Sequence, residues 1–180
     1  GASTDVTAPD IRTVPCWLLV ADIESFTRLS QTLPPEQLPI VTGRWLSQCK
    51  EVIEQGDGAI NKFLGDGFFA YWRDTAGFSQ RLIDTLAALE KLQSEAQPKF
   101  RIVLHHGDVS VGGASASGEE SLLGKEVNFA FRMEKLAGSL ALPRLLSEAA
   151  NERLSSLRPT REVGRYPLSG FDGQFAFYTC

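Results

Sequence analysis

Two aspartates stand where a carboxylate could meet a ligand. Asp22 closes an apolar run, residues 16–23, that is typical of a buried central strand, and Asp66 lies in a Leu-Gly-Asp-Gly sequence between two strand-like runs. Asp-Gly between such runs predicts a hairpin turn, because glycine accepts the positive φ of tight turns. Strand ends and turns hold side chains on stiff backbone, so both carboxylates are candidate ligand-binding groups. For Asp66 the alternative is an ordinary structural turn.

The chemistry that these carboxylates suggest is metal binding. Carboxylates with open coordination positions suit Mg²⁺ or Mn²⁺, which prefer oxygen ligands and often keep substrate phosphates in their shell. Two such ions can activate an attacking oxygen and neutralise a leaving one. The spacing of Asp22 and Asp66 in the sequence does not by itself show that they meet.

Two further stretches could bind phosphate. Asn128 and Arg132 are four residues apart on a predicted helix, so they point the same way, and the planar donor fork of arginine suits a phosphate. Phe26 and Thr27 follow the first strand, where backbone N–H groups at a helix N-terminus form an anion site. The alternatives are a surface arginine with a polar asparagine, and a hydrophobic staple with a capping hydroxyl.

The elements that must position these residues follow the order β α α β β α β β α β α β β. This order predicts the α+β class with a largely antiparallel sheet. Gly107 is predicted to turn the strand at 100–106 into a hairpin partner at 108–112, and residues 113–120 read as a loop. The other predicted elements are helices at 36–55, 78–92, 124–137 and 147–154, strands on both sides of Asp66, a strand at 142–146 and a closing hairpin of 162–168 with 174–179.

Composition limits the possible classes of protein. The chain has 180 residues, 43% of them hydrophobic and 22% charged, which is typical of one globular domain. A net charge of −4 argues against nucleic-acid binding, and no apolar run is long enough for a membrane span. Cys16, Cys49 and Cys180 are widely spaced, which argues against a zinc site or a disulfide framework and for a reducing compartment. With no basic leader at the start, we expect a cytoplasmic location, either for the protein or for this part of a larger one.

Four motifs resemble those of the class III nucleotidyl cyclase catalytic domain. Residues 22–27 resemble its Asp-Ile-x-x-Phe-Thr signature, and residues 62–67 resemble its Lys-x-x-Gly-Asp hairpin. Residues 124–132 resemble its Gly-x-x-Val-Asn-x-Ala-x-Arg helix, and residues 100–107 its Ile-x-x-His-x-Gly strand. The motifs occur in the family's order, and the resemblance runs from about Leu18 to Tyr178, nearly the whole chain. We therefore expect residues 1–15 to be an extension and residues 16–180 to be a cyclase catalytic domain.

The resemblance implies a ferredoxin-like βαββαβ core and a head-to-tail homodimer with shared active sites. Carried over by motif, Asp22 and Asp66 would bind two Mg²⁺ or Mn²⁺ ions per site, and the carbonyl of Ile23 would join the second ion. Asn128 would orient the ribose, and Arg132 would hold the α-phosphate. The aspartates of one subunit would face the purine and phosphate residues of the other.

The resemblance also implies a substrate and a reaction. Lys62 would contact the purine, and its donor suits N1 of adenine, whereas guanylyl cyclases typically have an acidic residue there. Ser121, seven residues before Asn128, would be the second base-reading residue, and a hydroxyl can accept from the adenine 6-amino group but can also donate. The expected reaction is attack of the ATP 3′-hydroxyl on the α-phosphate, giving cyclic AMP and pyrophosphate. No residue is assigned as the general base.

Departures from the family pattern leave alternatives open. Residues 168–173 lack the lysine that often binds the terminal phosphates, for which Arg165 could substitute. A guanylyl cyclase, a weakly active nucleotide-binding regulatory module and a palm-like nucleotidyltransferase are the competing hypotheses. A regulatory domain is expected elsewhere in the full-length protein.

Two further features have structural interpretations. The adjacent His105 and His106 should point to opposite faces of a strand, so they cannot readily share an ion. The three tryptophans are expected in the core or at an interface.

Overall fold

The first apolar run of the chain forms the central strand of the sheet. The computed structural model describes residues 12–95, 98–114 and 120–180, and in it β1 spans Arg12–Ile23. Residues 16–21 are all buried, and alternate side chains pack into two separate cores. The run lacks polar alternation because both faces of the sheet are covered here.

The predicted order of strands and helices agrees with the observed one, although the observed fifth strand is Glu120–Leu123 and not the predicted 108–112. After β1 the elements are α1 (Phe26–Thr32), α2 (Leu38–Gln55), β2 (Ala59–Phe63), β3 (Gly67–Arg73), α3 (Phe78–Glu95), β4 (Phe100–Ala114), β5 (Glu120–Leu123), α4 (Lys125–Leu140), β6 (Arg144–Ser147), α5 (Glu148–Leu154), β7 (Arg161–Tyr166) and β8 (Phe175–Thr179).

These strands form one mixed sheet in the order β2-β3-β1-β4-β6-β8-β7, and β5 pairs additionally with β4. The recorded pairings are antiparallel except for the parallel pair β4–β6. The first four strands, with α2 and α3 as crossovers, make the ferredoxin-like βαββαβ core. The predicted α+β class with a mostly antiparallel sheet is therefore confirmed.

Helices pack on both faces of the sheet. Side chains of α2, α3 and α5 join one core, in which Trp17, Trp45 and Trp72 are all buried, while α4 covers the other face. The expected core position of the tryptophans is therefore confirmed. No helix among the described residues has both the length and the apolar character needed to cross a membrane.

The predicted turn at Gly107 is wrong. β4 runs without interruption from Phe100 to Ala114, and Gly107 pairs with Cys16 in its middle. The glycine is needed for space: a Cβ on Gly107 would lie 2.6 Å from Cγ of Glu126 on α4. A glycine that marks a close contact between layers thus carries the same local sequence signal as a turn residue.

The long β4 also explains why β1 begins earlier than predicted. Residues 12–15 pair with residues 108–111, so the strand starts at Arg12 and crosses the expected boundary between 1–15 and 16–180. That division of the chain stays a prediction. Residues 115–119 of the predicted loop lie outside the described part, and the ends of the loop belong to β4 and β5.

Candidate functional site

A cavity of about 260 Å³ lies between the end of β1, the β2–β3 turn and α4. Four residues predicted from the motifs line it together: Asp22, Asp66, Asn128 and Arg132. Its other lining residues are Val20, Leu64, Phe131, Glu134 and Lys135. The fold thus brings together carboxylates and phosphate-binding candidates that lie far apart in the sequence.

Backbone hydrogen bonds fix the two aspartates relative to each other. Asp22 pairs with Gly67 across β1 and β3, and the N–H of Ile23 donates to the carbonyl oxygen of Asp66 at 2.8 Å. The turn is closed by a bond of 2.8 Å from the N–H of Leu64 to the carbonyl oxygen of Gly67. The β2–β3 turn is therefore tied directly to the end of the central strand.

Gly67, the glycine after Asp66, is not needed for the reason predicted from the sequence, which was a positive φ in the turn. Neither Gly65 nor Gly67 adopts a positive φ. A Cβ on Gly67 would instead lie 2.0 Å from the carbonyl oxygen of Ala21, which is backbone and cannot move aside cheaply. Gly67 is required because β1 and β3 approach closely beside the aspartates.

The helix α4 presents Asn128 and Arg132 on its exposed side. Its opposite stripe is apolar, and Ala130, Met133 and Ala137 are fully buried against the sheet. This stripe fixes the rotation of the helix, so two residues one turn apart face the cavity together.

Asp22 occupies an environment that opposes its negative charge. Burial raises its pKa to about 8, helped by a hydrogen bond and negative charge from Glu134 and by the charge of Asp66, while Arg101 opposes the shift. Its Oδ1 atom is buried, with no hydrogen-bond partner among the described residues.

A divalent cation would satisfy Oδ1 of Asp22 and offset the carboxylate charges, so the residues present fit such an ion. The described part of the chain holds no cluster of three or more His, Cys, Asp or Glu side chains able to enclose a metal. Oxygen atoms of substrate or water would complete the coordination shell.

Sequence reasoning missed two residues near Asp22. Glu134 lies six positions beyond Asn128 on α4, and no motif of the sequence sets it apart from the other polar residues of that helix. Arg101 is the cross-strand partner of Asp22 on β4 and forms an ion pair of 3.5 Å with Glu24. A contact set by strand register between distant residues leaves no local signal in the sequence.

The remaining predicted site residues do not line this cavity. Lys62 is exposed on β2, and Ile23 is buried at the end of β1. Phe26 packs against the core and Thr27 is exposed, both in the first turn of α1. Ser121 lies in β5, but its side chain is outside the described part of the structure. The roles predicted for these five residues stay predictions.

The two adjacent histidines lie on opposite faces of the sheet, as predicted. His105 contacts Glu126 through Nε2 at 2.5 Å and Ser147 through Nδ1 at 2.7 Å. His106 contacts Asp74 at 2.8 Å on the other face. Both side chains are buried, and each is held by an acidic partner, which fits the structural interpretation.

At the C-terminal hairpin, Arg165 points its guanidinium to the backbone. The group donates a hydrogen bond of 3.2 Å to the carbonyl oxygen of Gln174. Arg165 is exposed on β7 and does not line the cavity. The structure of the single chain therefore does not support the suggestion that Arg165 binds the terminal phosphates in place of the missing lysine.

Known proteins of similar sequence are cyclases. A scan against models of protein families finds no match. Adenylate cyclase 1 of Rhizobium meliloti (strain 1021) is 28% identical over 167 residues, which is 84% of this chain and 25% of that protein. An adenylate cyclase of Anabaena cylindrica is 24% identical over 77% of this chain and 30% of that protein. The chain thus spans less than a third of the length of these curated relatives.

Solved structures of cyclases share the fold. The adenylyl cyclase CyaB from P. aeruginosa matches with a TM-score of 0.76 and 22% identity over 94% of both chains. The guanylyl cyclase Cya2 matches with a TM-score of 0.74 and 21% identity over 93% of this chain and 91% of that chain. The chain has the fold of the class III nucleotidyl cyclase catalytic domains, and the resemblance predicted from its motifs is confirmed.

Proposed function

We propose that this chain is an adenylyl cyclase catalytic domain, which converts ATP to 3′,5′-cyclic AMP and pyrophosphate. The observation that carries the proposal is that Asp22, Asp66, Asn128 and Arg132 line one cavity. The names of the curated relatives, both adenylate cyclases, favour the same reaction.

In this proposal Asp22 and Asp66 hold Mg²⁺ or Mn²⁺, with the carbonyl of Ile23 as a further ligand. Two such ions, when bound, supply charge neutralisation for the triphosphate and acidify the ribose 3′-hydroxyl. The stiff pairing of β1 with the β2–β3 turn keeps both carboxylates in place before substrate arrives. Preorganised groups of this kind need little reorganisation during the reaction.

Residues of α4 and the loops bind and orient the nucleotide. Arg132 donates to the α-phosphate as charge builds there, and Asn128 holds the ribose so that the hydroxyl lies in line. Backbone N–H groups of Phe26 and Thr27 bind the outer phosphates. Lys62 donates to N1 of adenine, and Ser121 accepts from the 6-amino group.

We further propose that a second copy of the chain completes each site. A cavity of about 260 Å³ is smaller than the roughly 300–1,000 Å³ usual for pockets that enclose a ligand. Lys62 lies outside that cavity, and its neighbour Phe63 exposes 54% of its surface. A dimer would cover this apolar side chain and bring Lys62 to the site of the partner.

Substitutions at the cavity test the proposed reaction. With Mn²⁺ and ATP, Asp22→Ala and Asp66→Ala should each lower cyclic AMP formation by about 1,000-fold or more, because each removes several kcal/mol of metal-dependent stabilisation. Arg132→Ala should lower it by about 100-fold. The exposed Asp84→Ala on α3 and Arg44→Ala on α2 are matched controls and should keep full activity. Full turnover in either cavity aspartate variant would contradict the metal assignment.

Product identification separates the competing functions. Cyclic AMP as the main product supports the proposal, and faster turnover of GTP than of ATP would make the chain a guanylyl cyclase. Nucleotide binding without any product indicates a regulatory module, and a dinucleotide indicates a nucleotidyltransferase.

Mixing two inactive chains tests whether the site is shared. A mixture of Asp66→Ala and Lys62→Ala chains can form one intact site per heterodimer if Asp66 serves the cavity of its own chain and Lys62 the site of the partner. Rescued activity is the expected result. If both residues act within one chain, the mixture stays as inactive as its components.

A further inference from the structure

A second cavity, of about 500 Å³, lies between α4, α5 and the loop that joins β7 to β8. Its volume falls within the roughly 300–1,000 Å³ typical of small-molecule pockets. It shares no lining residue with the Asp22–Asp66 cavity. None of the residues to which the proposed cyclase reaction gives a role lines this cavity.

Three phenylalanine rings form the apolar part of the cavity. The ring of Phe129 packs edge-on against Phe171, with centroids 5.2 Å apart, and against Phe175 at 5.1 Å. Phe129 is buried, but Phe171 and Phe175 are only partly buried. Aromatic surface is therefore available to a ligand, and aromatic ring faces attract cations.

The polar part of the cavity is acidic. Glu148 and Glu152 on α5 and Asp172 in the loop line it, and all three are exposed. None of them forms a recorded ion pair with a residue in the described ranges. Lys125 is the only lysine or arginine among the lining residues. The electrostatic potential in this cavity is therefore negative and favours a positively charged ligand.

The fourth carboxylate of the cavity is held by buried neighbours. Oε2 of Glu126 contacts Nε2 of His105 at 2.5 Å, and Nδ1 of the same buried ring contacts Oγ of Ser147 at 2.7 Å. This series of hydrogen bonds links α4 to β4 and to the start of α5. The hydrogen bond from His105 also lowers the pKa of Glu126, so this carboxylate stays charged at neutral pH.

We propose that this cavity binds a small organic cation, a protonated or quaternary amine with a compact apolar body. The charged head group would pack on the ring faces of Phe171 and Phe175 by cation–π contact and would face the carboxylates of Glu126, Glu148 and Glu152, while the apolar body adds van der Waals contact. Anions would be repelled by the same carboxylates, and neutral molecules of equal shape would lose the electrostatic contribution.

Choline and its neutral isostere 3,3-dimethylbutan-1-ol are the probes for this site. Titration of the unmodified chain, followed calorimetrically at constant ionic strength and without nucleotide, should show saturable binding of choline. The neutral alcohol should bind at least about tenfold more weakly, which corresponds to about 1.4 kcal/mol. Equal affinity for the two probes, or no saturable choline binding up to about 10 mM, a ceiling corresponding to less than about 3 kcal/mol, would overturn the proposal.

Two variants locate the binding. Phe171→Leu keeps an apolar side chain but removes the ring, and Glu152→Gln removes one exposed charge; each should weaken choline binding by about threefold to tenfold. Phe63→Leu and Glu95→Gln, outside the cavity, should bind choline like the unmodified chain. Unchanged affinity in both cavity variants would overturn the assignment. Because binding is measured directly, failure of the cyclase assay would not affect this result.

Discussion

Glu126 is the residue at which α4 meets the middle of β4. Its carboxylate contacts His105, and the Cγ methylene group of its side chain lies in the space that the absent side chain of Gly107 leaves open. With the Nε2 proton of His105 donated to Glu126, Nδ1 can accept from the Ser147 hydroxyl, which itself accepts the N–H of Ala150 at 3.1 Å. One ionised side chain thus anchors the helix that carries Asn128 and Arg132.

The pKa of Glu126 predicts how stability depends on pH. Its pKa lies below the ordinary 4.5, mainly because of the hydrogen bond from His105. A carboxylate with a lowered folded-state pKa stabilises the fold above its unfolded pKa, and this contribution is lost as the pH falls through the folded value. We expect Glu126→Gln to lower the free energy of unfolding by about 1–3 kcal/mol at neutral pH and by less at acid pH.

Urea unfolding across this pH range measures the effect. The curves of the unmodified chain and of Glu126→Gln should differ fully above about pH 4.5 and should converge as the pH falls from there through the lowered pKa of Glu126. Glu95→Gln, at the exposed end of α3, is the matched control and should follow the unmodified chain. Parallel curves for the unmodified chain and Glu126→Gln would show that this carboxylate does not contribute through its charge.

At the scale of elements, the β2–β3 hairpin and β1 form one unit around the two aspartates. The Asp22–Gly67 pair and the bond from Ile23 to Asp66 join them through backbone alone. Any side chain at position 67 would push the hairpin away from the central strand. The integrity of this contact therefore decides both the stability of the hairpin and the position of Asp66.

Two glycines of one turn make a matched pair for testing this contact. Gly67→Ala places a Cβ 2.0 Å from the Ala21 carbonyl oxygen, so we expect a loss of about 1–3 kcal/mol or more in the free energy of unfolding. Gly65→Ala meets nothing within 4 Å and should change it by less than about 0.5 kcal/mol. Chemical denaturation of both variants gives the comparison. An equal change in the free energy of unfolding for the two variants would show that β1 and β3 can move apart at position 67 without loss of stability.

The sequence predicted the elements better than their contacts. Local patterns identified the strand ending at Asp22 and the helix carrying Asn128, and the family motifs indicated which polar residues to group. The same local rules failed at Gly107, where a glycine that makes room for Glu126 looked like a turn. They also could not show Arg101 beside Asp22, because strand register and helix packing are set by the whole fold rather than by neighbours in sequence.

At the scale of the whole molecule, the central question is how two copies meet. Phe63 exposes 54% of its surface and Ile40 exposes 58%, but Phe63 lies beside Lys62 and the β2–β3 turn, whereas Ile40 lies near the start of α2. If the proposed shared site is correct, Phe63 belongs to the interface and Ile40 need not.

Charge substitutions at these two positions test the assembly. Phe63→Asp should weaken the dimer by about tenfold or more, because a buried apolar contact becomes a desolvated carboxylate. Ile40→Asp should leave assembly unchanged. Sedimentation velocity over a range of concentrations measures the dimer, and specific activity should fall with dilution in parallel. A monomer with constant specific activity on dilution would contradict the shared site.

The position of Lys62 has a consequence for solubility that is separate from base recognition. Among the strands of the described ranges β2 lies at the end of the sheet, and its register with β3 shifts between Ile60 and Lys62. An unprotected outer strand offers free N–H and C=O groups to strands of other molecules, and a bulge with an exposed lysine is a common defence against such aggregation. Lys62→Val should therefore increase light scattering on incubation, whereas Lys62→Glu should lose preference for ATP and remain dispersed. The residue proposed to select the nucleotide would then also keep the protein from polymerising along its open edge.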